Sequence, residues 1–290
     1  MPAQKFEYVA AFGRNLGWVT RDEQAALNGK RIAIAGLGGV GGVHLLTLVR
    51  LGVGRFTLAD FDTFELANFN RQVGATMTSL GQPKLGVMAA MARDINPALA
   101  IETFDEGVTA ENVDRFLDGV DLFLDGLDFF ALREREFVFA ACAKKGIPAT
   151  TVAPLGMGAA LLNFMPGAMS FDDYFGLAGR SDDEKAVRFL VGLAPSFLHR
   201  RYLADRSFVD LAAQRGPSMS IACQACAAVA AAEALKILLG RGKVRAAPHG
   251  VHFDAYRNAL VRTWRPGGWR NPLQRAATSL AMRELLRKRA

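Results

Sequence analysis

A short apolar run at residues 31–36 breaks abruptly into glycines. That pattern predicts a strand buried on both faces and followed by a tight turn. Similar short runs at 55–60, 100–104, 121–125 and 147–152 read as further strands, with 44–51, 84–96, 111–117 and 131–145 as the helices between them. Strands alternating with helices at this spacing predict a parallel, doubly wound α/β sheet. Upstream, Thr20 and Glu23 make a capping-box pair that predicts a short helix reaching about Asn28.

The rhythm changes near residue 153. Residues 156–164 and 168–171, separated by Pro166 and Gly167, predict an antiparallel hairpin. A second capping-box pair, Ser181 and Glu184, predicts a helical stretch to about Gln214. An alanine-rich helix at 221–239 should stop at Gly240. Two paired strands, 251–255 and 259–264, and a terminal helix at 273–289 complete the chain, with no internal repeat or low-complexity linker. The longest apolar stretch, 221–240, is interrupted by Glu233 and Lys236, which lipid would penalise, so it reads as a core helix.

Composition adds three constraints. With 51% hydrophobic and 22% charged residues among 290, the chain can bury a large core. Three cysteines suit a reducing compartment, and the first eight residues lack the basic-then-apolar build-up of a secretory signal, so the expectation is a cytoplasmic protein. The net charge of +7 invites a nucleic-acid reading until it is located. Residues 262–290 hold eight basic residues against Glu284 alone, so the basic character belongs to a C-terminal appendage and the remainder is neutral.

Gly36-Leu37-Gly38-Gly39-Val40-Gly41 contains G-x-G-x-x-G between a predicted strand and a predicted helix. Such glycines permit a sharp turn and bring backbone N–H groups close to a phosphate at the helix N-terminus. Asp60 ends the next strand, where it can accept hydrogen bonds from ribose hydroxyls. Taken alone, this favours a dinucleotide such as NAD. Arg71 and Lys84 then shift the balance toward a triphosphate, because charge builds on the pyrophosphate when the α-phosphorus is attacked. Lys84 at a helix N-terminus is electrostatically misplaced without an anion nearby.

The ordered set G-x-G-G-x-G, D-x-D (Asp60, Asp62), N-x-N-R-Q (Asn68 to Gln72) and G-x-x-K (Gly81 to Lys84) resembles the ThiF/MoeB superfamily, the adenylating domain of ubiquitin-activating enzymes. The similarity covers residues 8–165 well and the 222–239 helix more loosely. It implies a Rossmann-like, mostly parallel sheet with antiparallel strands added in the C-terminal half. The implied organisation is an N-terminal helical segment (1–30), an adenylating domain (31–265) with a helical substrate-side insertion (171–218), and a basic C-terminal helix (266–290). By resemblance, Gly36, Gly38, Gly39 and Gly41 would line ATP, Asp60 would hold the ribose, and Asn68, Asn70, Arg71 and Lys84 the phosphates. Asp128 would hold Mg2+ near the α-phosphate, consistent with the oxygen-rich sites this ion prefers. As a residue preceding a predicted helix, Asp128 also reads as an N-cap. Arg14 matches an arginine that reaches the neighbouring subunit's γ-phosphate, which implies a homodimer with composite sites; an exposed surface charge is the plainer reading of it.

The chain departs from the family in several places. Only one C-x-x-C pair exists, Cys223 and Cys226, so no zinc site is expected. These thiols read as core residues, although a helix N-terminus could activate them for a thioester or persulfide step. Phe129 stands where relatives often carry asparagine. Phe123, Phe129 and Phe130 read as core, and the four histidines are too scattered for a metal set. The expected function is ATP-dependent adenylation of a carboxylate, on a small-protein or peptide C-terminus or a small metabolite. A tRNA-modifying dehydratase using the same chemistry, an NAD-dependent oxidoreductase and a non-catalytic adaptor are the alternatives.

Overall fold

Eight strands form a single sheet in the order β3-β2-β1-β4-β5-β6-β7-β8 in the computed structural model, which describes residues 5–210 and 213–286. The strands are β1 (Arg31–Ala35), β2 (Arg55–Ala59), β3 (Ala100–Phe104), β4 (Leu122–Asp125), β5 (Ala149–Leu155), β6 (Gly158–Phe164), β7 (His249–Asp254) and β8 (Ala259–Trp264). Pairing is parallel from β3 through β5 and antiparallel from β5 onward. The strand order reverses between β1 and β4, and a doubly wound sheet binds ligands at such a switch point.

Ten helices are described: α1 (Tyr8–Phe12), α2 (Arg21–Gly29), α3 (Gly39–Arg50), α4 (Lys84–Ile95), α5 (Val113–Phe116), α6 (Leu132–Lys145), α7 (Phe171–Phe175), α8 (Asp182–Leu193), α9 (Ser220–Leu238) and α10 (Pro272–Leu286). Alternation along the central strands feeds two cores. Ala33, Ala35 and Phe123 face a phenylalanine-rich layer with Phe104, Phe116, Phe139 and Phe164. Ile32, Ile34, Leu122 and Leu124 face the layer of Leu45, Leu48 and Met88. Both faces are covered, which explains the continuous apolar runs read from the sequence. Helix α9 is long and apolar enough to cross a membrane by length and composition, but half of its apolar window is buried, and it packs on α3, β5 and β6.

Three expectations change. Helix α3 starts at Gly39 rather than at residue 44, so the glycines build its first turn. An added Cβ at Gly41 would lie 1.8 Å from the Gly36 carbonyl oxygen, so only glycine lets the helix seat this close to β1. Second, the predicted hairpin of 156–164 with 168–171 does not form. β6 instead pairs with β5 across a turn at Gly156 and with β7 on its other side, and residues 168–170 lead into α7. All seven β6 residues are buried, so periodicity carries no sign of which strands pair on its two edges. Third, α8 stops at Leu193, not near 214. Ala194 precedes Pro195 and takes φ −135°, ψ 65°, off the helical region as a residue before proline tends to do. Two short 3-10 turns, Leu198–Arg201 and Arg206–Phe208, follow.

The two capping pairs also differ. Thr20 and Glu23 exchange both bonds, at 3.1 and 2.8 Å. Ser181 accepts from the Glu184 amide, but the Glu184 carboxylate turns instead to Arg180 and Arg188. Helix α10 is described to Leu286, and the basic residues Arg287, Lys288 and Arg289 lie outside the described residues.

Candidate nucleotide site

The site is built where β1 ends. Gly36 has φ +83°, a left-handed conformation, and an added Cβ would meet the Gly126 carbonyl oxygen at 2.3 Å. The tips of β1 and β4 therefore touch, and the chain turns at once into α3. Gly38 is the N-cap of α3 and Gly39 its first residue, so backbone N–H groups and the positive end of the helix face the same edge.

Asp60 closes this loop from the side. It is 8% exposed; Oδ2 accepts the Leu37 amide at 2.6 Å and Oδ1 the Asp62 amide at 2.8 Å. Burial raises its pKa above the usual carboxylate value, opposed by those two amides and by the nearby Lys84. Lys84 is the first residue of α4 and is buried, with Nζ on Asp62 Oδ2 at 2.8 Å. The cation misplaced at a helix N-terminus thus has its anion, supplied by the D-x-D motif. Asp62 was not among the expected site residues, although that motif contained it.

The N-x-N-R-Q segment also borders the glycine loop, with Gln72 against Gly38 and Arg71 against Gly39. Asn68 is buried, and its Oδ1 accepts from the Glu65 amide at 3.0 Å. Asn70 is exposed and ties the rim to the start of α9, donating to the Ser218 carbonyl oxygen at 2.8 Å and accepting from Arg71 at 3.0 Å. Arg71 also donates to the Ala67 carbonyl oxygen at 3.0 Å, and its alkyl chain lies against Gly39. Gln72, a member of the motif but not an expected site residue, is buried beside Gly38, its Oε1 without a partner among the described residues. Cys223 also packs on Gly39, its thiol pKa raised by burial and partly restored by Arg71. Cys226 is buried with its pKa raised further, so both are core thiols poorly disposed to ionise.

Asp128 sits on the loop after β4 and is exposed. It does not cap α6, whose N-cap is Ala131; Oδ1 instead accepts the Phe130 amide at 3.0 Å in a local turn. An exposed carboxylate with an oxygen uncommitted among the described residues suits a hard divalent ion shared with phosphates. Among the described residues, no three His, Cys, Asp or Glu side chains converge as a metal set. Beneath the loop, buried Arg135 forks onto Asp125 at 2.7 and 3.2 Å and donates to the Leu127 and Asp128 carbonyl oxygens at 2.9 and 3.1 Å. Nothing in the local pattern marked this pair, since Arg135 lies in the charged run Arg133 to Glu136.

Arg14 does not join its own chain's site. Its turn is held to the far end of α3 by Asn15, which donates to the Arg50 carbonyl oxygen at 3.2 Å. A 12-residue helix separates that point from Gly39, about 18 Å at the usual rise. Arg14 is exposed there. The histidines serve the core: His44 is buried behind the glycine loop with its pKa pushed down to about 4 by burial. His249 and His252, three apart on β7, face opposite sides of the sheet rather than one; His249 stacks on Trp264 and His252 bonds Ser196.

Comparison with known proteins agrees with this geometry. The chain is 36% identical over 107 residues to the tRNA threonylcarbamoyladenosine dehydratase of Bacillus subtilis (strain 168), covering 37% of this chain and 42% of that protein. It is 46% identical over 90 residues to ubiquitin-like modifier-activating enzyme 5 of Drosophila melanogaster, covering 31% of this chain and 22% of that one. The chain thus spans less than half the length of either relative. A crystal structure of E. coli MccB with ATP shares the fold, with a TM-score of 0.62 and 16% identity over 83% of this chain and 65% of MccB. The ThiF family profile matches residues 12–276. With that span matched and the motifs gathered at one sheet switch point, the chain belongs to the ThiF family.

Proposed function

We propose that the chain adenylates a carboxylate with Mg-ATP, forming an acyl-adenylate and releasing pyrophosphate. The observation that carries this reading is that the glycine loop touches both Asp60, which leads through Asp62 to Lys84, and Arg71. A hydride-transfer site has no use for two cations there, whereas a departing pyrophosphate does. In this reading, the N-terminus of α3 and the Gly38 and Gly39 amides receive phosphate, and Asp60 takes the ribose. Arg71 and Lys84 stabilise the charge that develops on the leaving group, Lys84 exchanging Asp62 for phosphate as ATP enters. Asp128 would hold Mg2+, which neutralises phosphate charge when bound. No side-chain nucleophile is required, so catalysis rests on positioning and preorganised charge.

The acyl group is proposed to be a C-terminal carboxylate of a ubiquitin-like or sulfur-carrier protein, a peptide or a small metabolite, used by a cytoplasmic homodimer whose Arg14 reaches the partner's site. The similarity to a ubiquitin-like modifier-activating enzyme supports the protein substrate. The similarity to a tRNA dehydratase supports a second reading, in which the same adenylation acts on a carboxylate carried by tRNA. ATP–pyrophosphate exchange, run with each candidate carboxylate, tests the chemistry. Exchange should appear in the wild type and fall about a hundredfold or more in Lys84→Ala and Asp128→Ala. Equal rates in wild type and variants would refute adenylation at this site, and salt-sensitive binding of tRNA would favour the second reading.

A further inference from the structure

The loop carrying Asp128 is held from two sides. From within the sheet layer, Arg135 forks onto Asp125 and caps the Leu127 and Asp128 carbonyl oxygens. From outside, α8 lies against it. The Arg135 guanidinium carbon sits 4.5 Å from the centre of the Phe189 ring, and Phe189 is 2% exposed. The same ring packs on Phe129 at 5.4 Å, the residue immediately after Asp128. One turn earlier, Lys185 pairs with Glu136 at 2.5 Å, fastening α8 to α6 next to Arg135. On its other side α8 rests on α10 through Val187, Val191 and Ala281.

We infer that Phe189 is a positioning residue for the nucleotide site: through Arg135 and Phe129, helix α8 fixes the loop that presents Asp128. The inference rests on the reading of Asp128 as part of that site. The physical argument starts from Arg135. Its in-plane donors are spent on Asp125 and on the carbonyl oxygens of Leu127, Asp128, Phe129 and Ala131, which leaves the flat faces of the guanidinium to be covered. An aromatic face meets that need better than an aliphatic one, because its quadrupole attracts the cation. With the ring in place, the guanidinium plane has one orientation, and the carbonyls of residues 127 and 128 follow it. Phe129 gives the ring a second hold on the same loop. A segment outside the glycine-loop machinery thereby sets the geometry of the metal-facing carboxylate.

The test separates positioning from mere core filling with two variants on opposite sides of α8. Phe189→Leu keeps an apolar side chain but removes the aromatic face, whereas Val187→Ala creates a void toward α10. Amide hydrogen exchange of the segment 126–131 should quicken about tenfold in F189L and stay within about twofold of wild type in V187A. The Mg2+ concentration needed for half-maximal ATP binding should rise about fivefold in F189L, with Mg-free ATP affinity unchanged within about twofold. If F189L does not fold, Lys185→Met should still speed exchange of 126–131 about threefold. Equal quickening in F189L and V187A, or none in F189L or in K185M, overturns the inference. If the loop quickens but neither the variants nor the wild type binds ATP, the hold of α8 on the loop stands, while the adenylation reading falls and takes the loop's role in a nucleotide site with it.

Discussion

The Asp60 carboxylate reaches across the end of the sheet to accept the Leu37 amide at 2.6 Å while its other oxygen takes the Asp62 amide at 2.8 Å. One side chain thus joins the glycine loop to the segment that supplies Asp62, and through it Lys84. Asp60→Asn offers one acceptor where two are used, so an amide N–H is left facing an NH2 group. Relief of the buried charge offsets part of that loss, leaving an expected cost of about 1 kcal/mol, with weaker ATP binding. Urea unfolding and ATP titration of the variant check both effects. Unchanged stability together with unchanged binding would remove Asp60 from the loop's support.

Gly39 marks where the helix start, Arg71 and Cys223 meet. A Cβ placed there comes within 3.0 Å of Cys223 Sγ and 3.6 Å of Arg71 Cγ. Gly39→Ala should destabilise by about 1–2 kcal/mol through overpacking and weaken Mg-ATP binding. Adding Cys223→Ala should recover a large part of that loss, because it removes the atom in the way. A double-mutant cycle read by thermal unfolding tests the coupling, and simple additivity would show that the strain lies elsewhere.

Acid should destabilise the fold through two histidines. His44 and His252 are both buried, and burial pushes each pKa from 6.5 down to about 4, with Asp125 opposing the depression at His44. His252 also faces Ser196, His199 and Asp254, with the like-charged His199 adding to the depression and Asp254 opposing it. A folded-state pKa below the unfolded one means that the unfolded chain takes up the proton first. Stability is therefore held above pH 6.5 and lost as pH falls toward 4, by about 3 kcal/mol per histidine at most. Unfolding midpoints measured across that window should fall steeply, and less steeply in His252→Asn. An identical slope in the variant would contradict the assignment.

Arg14 lies about one helix length from its own glycine loop, so any role in catalysis must be played on a neighbour. Arg14→Ala and Asp128→Ala should each be nearly inactive alone. Mixed in equal amounts and allowed to exchange subunits, they should recover about a quarter of wild-type exchange, since half the dimers would be mixed and hold one intact site. No recovery, with mixed dimers present by native mass spectrometry, would confine each site to a single chain.

What could be read along the chain was local. The strand-then-glycine run at 31–41 and the Thr20–Glu23 box are legible because a few consecutive residues dictate the geometry. Ser181 shows the limit: its box is half made, because Glu184 found two arginines nearer than its own cap. The family motifs named Asp60, Arg71, Lys84 and Asp128 in order, but gave no partner for any of them.

A doubly wound sheet with a phosphate-type loop after its first strand was legible from the residues alone, since burial on both faces and glycine at a turn leave a direct mark on residue choice. That β6 pairs with β5 and β7, that Asp62 holds Lys84, and that Arg135 joins Asp125 to Phe189 beneath the Asp128 loop emerged with the packed fold. Asp62 and Lys84 stand 22 positions apart and even Asp125 and Arg135 stand 10 apart, separations at which any compatible charge would satisfy the local pattern. The partner is selected by the close packing of the whole sheet and its helices, and no stretch of chain carries that information alone.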